Sequence, residues 1–228
     1  RIYDEFQELF YAEHALGNNI LGSKEELKNM SRGMLVDFKK RTFIKKKLLL
    51  VVVSTIDIKR VIRISEKYFG GIQLEDGDFE RESPSNPKTF DVEKRNGFLQ
   101  THVMMGCPAY SISHEKRPTL MLLSNLLGGP GLNSKLNLSL RERLGYTYSI
   151  ESNYQSLTDS GLFTVYWSTD KKNYKKSKRA FTNVIDAVLN KPLTEPQLKK
   201  YKTQFKGQMI MGEESNLSLF FVLGKSIL

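Results

Sequence analysis

Apolar residues first recur at helical spacing in "RIYDEFQELFY", where Ile2, Phe6, Leu9 and Phe10 share one face of a short amphipathic helix. "HALGNNILG" interrupts that pattern with Gly17, two asparagines and Gly22. Ser23 with Glu26 three residues on is a capping-box pattern opening a helix to about Met30, and Ser31 caps another reaching roughly Arg41. "KKKLLLVVVST" abandons the helical period. Its lysine cluster followed by the unbroken apolar run Leu48 to Val53 predicts a strand buried on both faces. Asp57 then starts a helix whose inner side carries Ile58, Val61, Ile62, Ser65 and Phe69 and which ends at Gly70-Gly71.

Periodicity disappears from Gly71 to about Asn96, where the chain is polar and holds two prolines, so this stretch reads as a linker and a domain boundary. The pattern resumes with a strand in "FLQTHVMMGCPA" and an apolar helix in "HEKRPTLMLLSNLLGG". "PGLNSKLNLSLRERLG" predicts a second helix, with Leu132, Leu136, Leu140 and Leu144 four apart. "YTYSIESNYQS" and "GLFTVYWST" alternate on either side of Leu157 to Ser160, which predicts a hairpin. Asp170 is expected to cap a long helix to about Asn190 with Phe181, Val184, Ile185 and Val188 on one face. Thr194, Pro196 and Gln197 open a further one. Strand, two helices, hairpin and two or three helices make an α+β arrangement, helices packed on a mostly antiparallel sheet.

Composition narrows the function classes only a little. The 228 residues suffice for one large domain or two modest ones, and 39% hydrophobic with 26% charged residues is ordinary for a soluble globular protein. A net charge of +10 admits anionic partners. No lysine run is interleaved with aromatics as a nucleic-acid groove would be, so a lysine-rich solvated surface is favoured over nucleic-acid binding. Cys107 is the only cysteine, which excludes an intrachain disulfide and a cysteine-based zinc knuckle. The longest apolar run is far too short to span a bilayer. The opening on Arg1 and the close on "FFVLGKSIL", inside an apolar helical pattern, suggest a piece of a longer protein.

Candidate chemistry is sparse. His14, His102 and His114 have no partner histidine at helical spacing, and neither HxxxH nor HxxEH occurs, so no zinc site is expected on this chain. His102 and Cys107 lie five apart on one predicted strand, hence on opposite faces, which discounts a Cys/His pair. "GGPGLNSK" lacks the GK[ST] ending of a phosphate loop and follows a helix, so it reads as a helix–helix turn needing positive φ. In "LRERLGYTYSI", Arg141 and Tyr148 lie seven apart, across a helix end and into a strand. A guanidinium and a phenol placed there can converge as donors on one polarised oxygen. They can equally be a helix end favoured by its dipole and ordinary strand tyrosines.

"LLGGPGLNSKLNLSLRERLGYTYSIESNYQSLTDSGLFTVYWSTD" resembles the insulinase/pitrilysin family of zinc metallopeptidases, especially its processing-peptidase branch. The glycine-rich turn, leucine-spaced helix, LRE…G…Y segment and "DSGLF" hairpin follow in that family's order. "IYDEFQELFYAEHALGNNILGS" looks like the segment after the family's zinc site. "MLVDFKKRTFIKKKLLLVVVSTIDIKRVIRISEKYFG" looks like the end of its first domain, and "LTEPQLKKYKTQFKGQMIMGEES" is similar to a late helix of its second. The resemblance implies a two-domain, processing-peptidase-like arrangement: residues 1–92 the C-terminal portion of the first domain plus linker, and 93–228 the second, homologous domain.

That resemblance also implies a parent that cuts peptides with zinc held by an HxxEH motif and a later glutamate, all upstream of Arg1, and no metal or other cofactor on this chain. The family's arginine and tyrosine fall on Arg141 and Tyr148, whose implied role is to hold substrate and stabilise the oxyanion. Expected partners are a peptide or unfolded polypeptide substrate, the N-terminal zinc domain, and a homo- or heterodimer mate. A bacterial cytoplasm or periplasm is favoured over a mitochondrion. A non-catalytic, peptide-binding or scaffold member of the same fold stands as the alternative.

Overall fold

Trp167, the chain's single tryptophan, is fully buried, and the elements around it carry the fold's hydrophobic core. The structure is a computed structural model that describes residues 1–43, 48–72, 82–85 and 87–227. It divides into two compact units, one of residues 1–21 and 82–205, the other of residues 22–81 and 206–228.

In the first unit, β1 (Gln100–Pro108), β2 (Thr147–Ser156) and β3 (Gly161–Asp170) form an antiparallel sheet in the order β1-β3-β2. The hairpin of β2 and β3 places Ile150 opposite Trp167, and β1 places Val103 opposite Trp167 on the other side. Alternation along the strands then separates two faces. Val103, Met105, Ile150, Val165 and Trp167 join Leu126, Leu127, Leu136, Leu140 and Phe181 in one cluster. Met104 and Leu162 join Phe6, Phe10 and Tyr11 in another. The first face is covered by α5 (Arg117–Gly128) and α6 (Tyr174–Asn190), the second by α1 (Ile2–Phe10), so helices sandwich an antiparallel sheet and the class is α+β.

Two glycines permit these layers to close. A Cβ at Gly128 would lie 2.6 Å from the Ser152 amide nitrogen, so α5 can approach β2 only without a side chain there. At Gly106 an added Cβ would come 2.9 Å from Phe6 Cζ and 2.7 Å from the Phe163 carbonyl oxygen. The glycine-rich turn therefore serves close packing. Positive φ is found instead at Gly22, Gly97 and Gly145, which corrects the expectation of a positive-φ turn in "GGPG".

Other expectations also need correcting. The leucine-spaced segment is a π-helix from Asn137 to Arg143, and of its four leucines only Leu136 and Leu140 are buried, while Leu132 and Leu144 are exposed. Leu132 and Leu144 lie in the turns on either side of that helix, so they leave the line on which Leu136 and Leu140 face the core. Asp170 makes no side-chain cap; a 3-10 turn over Lys171–Asn173 intervenes before α6. The hydroxyl of Ser177 accepts from Trp167 Nε1 at 3.1 Å and donates to the Tyr174 carbonyl at 2.9 Å, tying that turn to the core.

The second unit holds α2 (Lys24–Asn29), α3 (Arg32–Thr42), α4 (Ile58–Phe69), the end of α7 (Glu195–Glu213) and α8 (Asn216–Ile227). Its helix starts match the sequence closely. Ser23 and Glu26 form the reciprocal capping box, Ser31 accepts from the Met34 amide, and Asp57 accepts from the Lys59 amide. The predicted strand does not form: Leu48 to Val53 carries no sheet pairing among the described residues. Ladder bonds need a neighbouring strand, and all three strands of the sheet lie in the other unit. Of the predicted linker, residues 73–81 and 86 lie outside the described residues, and 87–98 carry no helix or strand. Compactness groups α1 with residues 82–205 rather than with the helices of residues 22–72.

Candidate functional site

The segment from Leu140 to Ile150 is pinned from below and free above. Leu140 and Thr147 are buried, as is Ile150, and Tyr146 packs against the main core. Thr169 Oγ1, fully buried, donates to the Tyr146 carbonyl at 2.5 Å. Asn137 Nδ2 donates to Ser134 Oγ at 2.8 Å and to the Ile150 carbonyl at 3.4 Å, which joins the π-helix to β2. These polar ties were not singled out from sequence, though Asn137 and Ser139 are a visible signal as the polar residues between the core leucines.

Both predicted residues sit on backbone irregularities above those ties. Arg141 belongs to the π-helix, whose wide turn ends with the Leu144 amide donating to Ser139 O at 3.1 Å and the Tyr146 amide to Leu140 O at 2.8 Å. Gly145, at φ +60°, then reverses the chain into β2. Tyr148 is the inserted residue of a β-bulge: Thr147 pairs with Thr169 and Ser149 with Ser168, leaving Tyr148 without an opposite partner. Bulges and π-turns re-aim side chains that regular geometry would direct elsewhere.

The environment distinguishes these residues from their neighbours. Tyr146 is core-packed, Tyr154 donates its hydroxyl to the Tyr110 carbonyl at 2.5 Å, and Tyr148 is 63% exposed. Arg141 reaches Glu142 at 3.6 Å, both side chains being about half exposed. Such a surface pair is weak and readily exchanged for another anion or oxygen. No hydrogen bond joins Arg141 to Tyr148 among the described residues; they share one anchored surface segment.

The histidines do not fit a zinc site. His14 Nδ1 accepts from the Leu16 amide at 3.1 Å while Nε2 lies 2.9 Å from the Glu82 carbonyl, so one nitrogen serves the local turn and the other joins it to a segment distant in sequence. His102 Nδ1 is bonded to the Tyr166 hydroxyl at 2.8 Å, and His114 Nδ1 accepts from the Lys116 amide at 3.1 Å. No three His, Cys, Asp or Glu side chains converge among the described residues. Partial burial pushes the Cys107 thiol up from its ordinary value, away from a reactive thiolate.

A second polar group lies on the sheet face covered by α1. The Tyr3 hydroxyl donates to the Glu151 carboxylate, and the Tyr3 ring lies 5.4 Å from that of Tyr166. Burial, followed by the bond to Glu151, holds the Tyr3 phenol well above its usual range, and burial does the same for Tyr166. These groups tie α1 to the sheet.

The family profile described as "Peptidase M16 inactive domain" matches residues 29–205. A Bacillus subtilis (strain 168) protein called "Uncharacterized zinc protease YmxG" is 26% identical over 225 residues, covering 99% of this chain and 54% of the relative. "Uncharacterized zinc protease ML0855" of Mycobacterium leprae (strain TN) is 26% identical over 233 residues, covering 98% and 51%. The crystal structure of a peptidase M16 inactive domain from Pseudomonas fluorescens superposes with a TM-score of 0.82 at 18% identity, covering 98% of this chain and 53% of that one. The chain thus spans about half the length of the curated relatives it matches. No helix among the described residues is long and apolar enough to cross a membrane. With most of its length matched by the profile, the chain belongs to the peptidase M16 family, as its inactive domain.

Proposed function

We propose that this chain is the non-metal half of a zinc-dependent endopeptidase, its residues 1–92 ending a first domain and 93–228 forming most of a second. Arg141 and Tyr148 are its contribution to the site. Their guanidinium and phenol donate to the substrate peptide and to the carbonyl oxygen that gains charge during hydrolysis. The zinc belongs to the preceding domain, which this chain needs as partner. The carrying observation is that both side chains stand on exposed irregularities flanking a segment anchored by Thr169 and Asn137. Fixed donors act without reorganising when charge develops, which is the basis of their effect.

The test is kinetic and uses the full-length parent. Arg141→Ala and Tyr148→Phe are each expected to lower kcat/KM on a peptide substrate by about 100-fold, the usual effect of losing one such donor. Unchanged kcat/KM in both variants would remove the assignment. The isolated chain is expected neither to retain zinc nor to cleave peptide. Stoichiometric zinc in the purified chain, lost on replacing His102 or His114, would overturn that.

A second reading is a non-catalytic member of the same fold. A parent that binds peptide without cutting it would be a partner or scaffold subunit. An intact HxxEH with a downstream glutamate in the parent supports the enzyme, and a degenerate one supports the scaffold.

A further inference from the structure

Asparagine is among the chemically labile side chains, because the backbone nitrogen of the next residue can attack its amide carbon. That reaction needs an unhindered following residue, a backbone N–H that is not engaged, and a side-chain amide free to turn onto it. Asn96 and Gly97 form the chain's only Asn-Gly pair. Both are exposed, in a stretch that carries no helix or strand. Neither makes a hydrogen bond or ion pair among the described residues. Gly97 stands at φ +69°, with nothing within 4 Å of where a Cβ would lie. Asn133-Ser134, the chain's only Asn-Ser pair, shows the opposite arrangement although Asn133 is also exposed. Asn133 Nδ2 donates to Gln204 Oε1 at 2.7 Å, its Oδ1 accepts from Gln204 Nε2 at 3.1 Å, and the Ser134 amide donates to Gly131 O at 3.0 Å.

We propose that Asn96 is a site of spontaneous deamidation that rebuilds the entry to β1 as an anionic tether. The Gly97 nitrogen, deprotonated by hydroxide, bonds to Asn96 Cγ. The Cγ–Nδ2 bond breaks, and Nδ2 takes up a proton from water and leaves as ammonia. Water then opens the cyclic imide at either carbonyl, giving aspartate or isoaspartate without any change of oxidation state. The place matters because both ends of this span are held. Upstream, the Phe90 ring lies 5.4 Å from that of Phe6 and Lys94 reaches Glu5 of α1 at 3.3 Å; downstream, Gln100 pairs with Asp170. Isoaspartate lengthens the backbone between these fixed points. Either product sets a carboxylate next to Arg95, in competition with Glu93 at 3.5 Å.

Peptide mapping by mass spectrometry tests this in the full-length parent, incubated in mildly alkaline buffer either folded or in urea. In the folded protein Asn96 is expected to deamidate within about threefold of its rate in the unfolded chain, since no local opening is required. Folding is expected to slow Asn133 about tenfold or more, because its hydrogen bonds must open first. Asn96→Gln is expected to remove the earliest acidic species on cation exchange, and the methyl label that an isoaspartyl methyltransferase places at residue 96. Asn96 slowed by folding as strongly as Asn133 would overturn the proposal, as would conversion of Asn133 ahead of Asn96 in the folded protein. None of these outcomes depends on whether Arg141 and Tyr148 serve catalysis.

Discussion

A single carbon added at Gly128 would strike the backbone of β2 at 2.6 Å, and neither side can yield without shifting the sheet. Gly128→Ala is expected to lower stability by about 1–3 kcal/mol, the usual cost of overpacking, read from urea denaturation followed by Trp167 fluorescence. Gly145 has open space around it but a φ of +60°, so Gly145→Ala is expected to cost about 1–2 kcal/mol through conformation alone. Gly145→Asn should recover much of that, since asparagine tolerates the left-handed region. Tyrosine titration gives a further test. The folded state holds Tyr3, Tyr11 and Tyr166 above the ordinary value of 10.0. Above pH 10 the unfolded chain releases phenolic protons that the folded chain retains. Stability contributed by these groups is therefore fully present below pH 10 and declines as pH rises beyond it. Tyr3→Phe is expected to make that decline shallower, measured by denaturation between about pH 9 and 11.

Among the elements, α6 opens against its own dipole. Lys171, Lys172, Lys175, Lys176 and Lys178 crowd its start, and no acidic residue occupies its first turn. One of them, Lys178, reaches Asp91 at 3.8 Å. Cations near a helix N-terminus are unfavourable by the same amount that anions are favourable there. Lys175→Glu is therefore expected to raise stability by about 0.5–1 kcal/mol at low salt, and less at high salt, in parallel thermal melts. The capping boxes, the hairpin and the apolar helix faces were legible because each rests on neighbours within a few residues. The π-helix was not. Its winding is held by Asn137 reaching across to Ile150 and by Leu140 seated beneath Trp167's sheet, and neither partner is marked by local spacing.

For the whole molecule, the unequal distribution of buried side chains predicts unequal stability. Trp167 reports only on the unit containing the sheet. In the chain alone, the helical signal at 222 nm is expected to fall at lower urea than Trp167 fluorescence changes, because α2, α3, α4 and α8 have no buried core of their own. Coincident transitions would show that the two units unfold as one.

The sequence by itself determined the helix starts at Ser23, Ser31 and Asp57, the strand pairing of the hairpin and the family resemblance, since periodicity, caps and turn residues act over short distances. It also singled out Arg141 and Tyr148, though only through that resemblance; their local spacing was compatible with an ordinary helix end. The tertiary structure decided how those two residues are displayed. The bulge exists because buried partners in β3, Thr169 and Ser168, set the register against which Tyr148 is left over. It decided the fate of Leu48 to Val53 for the same reason. An apolar run encodes readiness to be a strand, but a strand is completed only by a neighbour, and none lies beside it among the described residues.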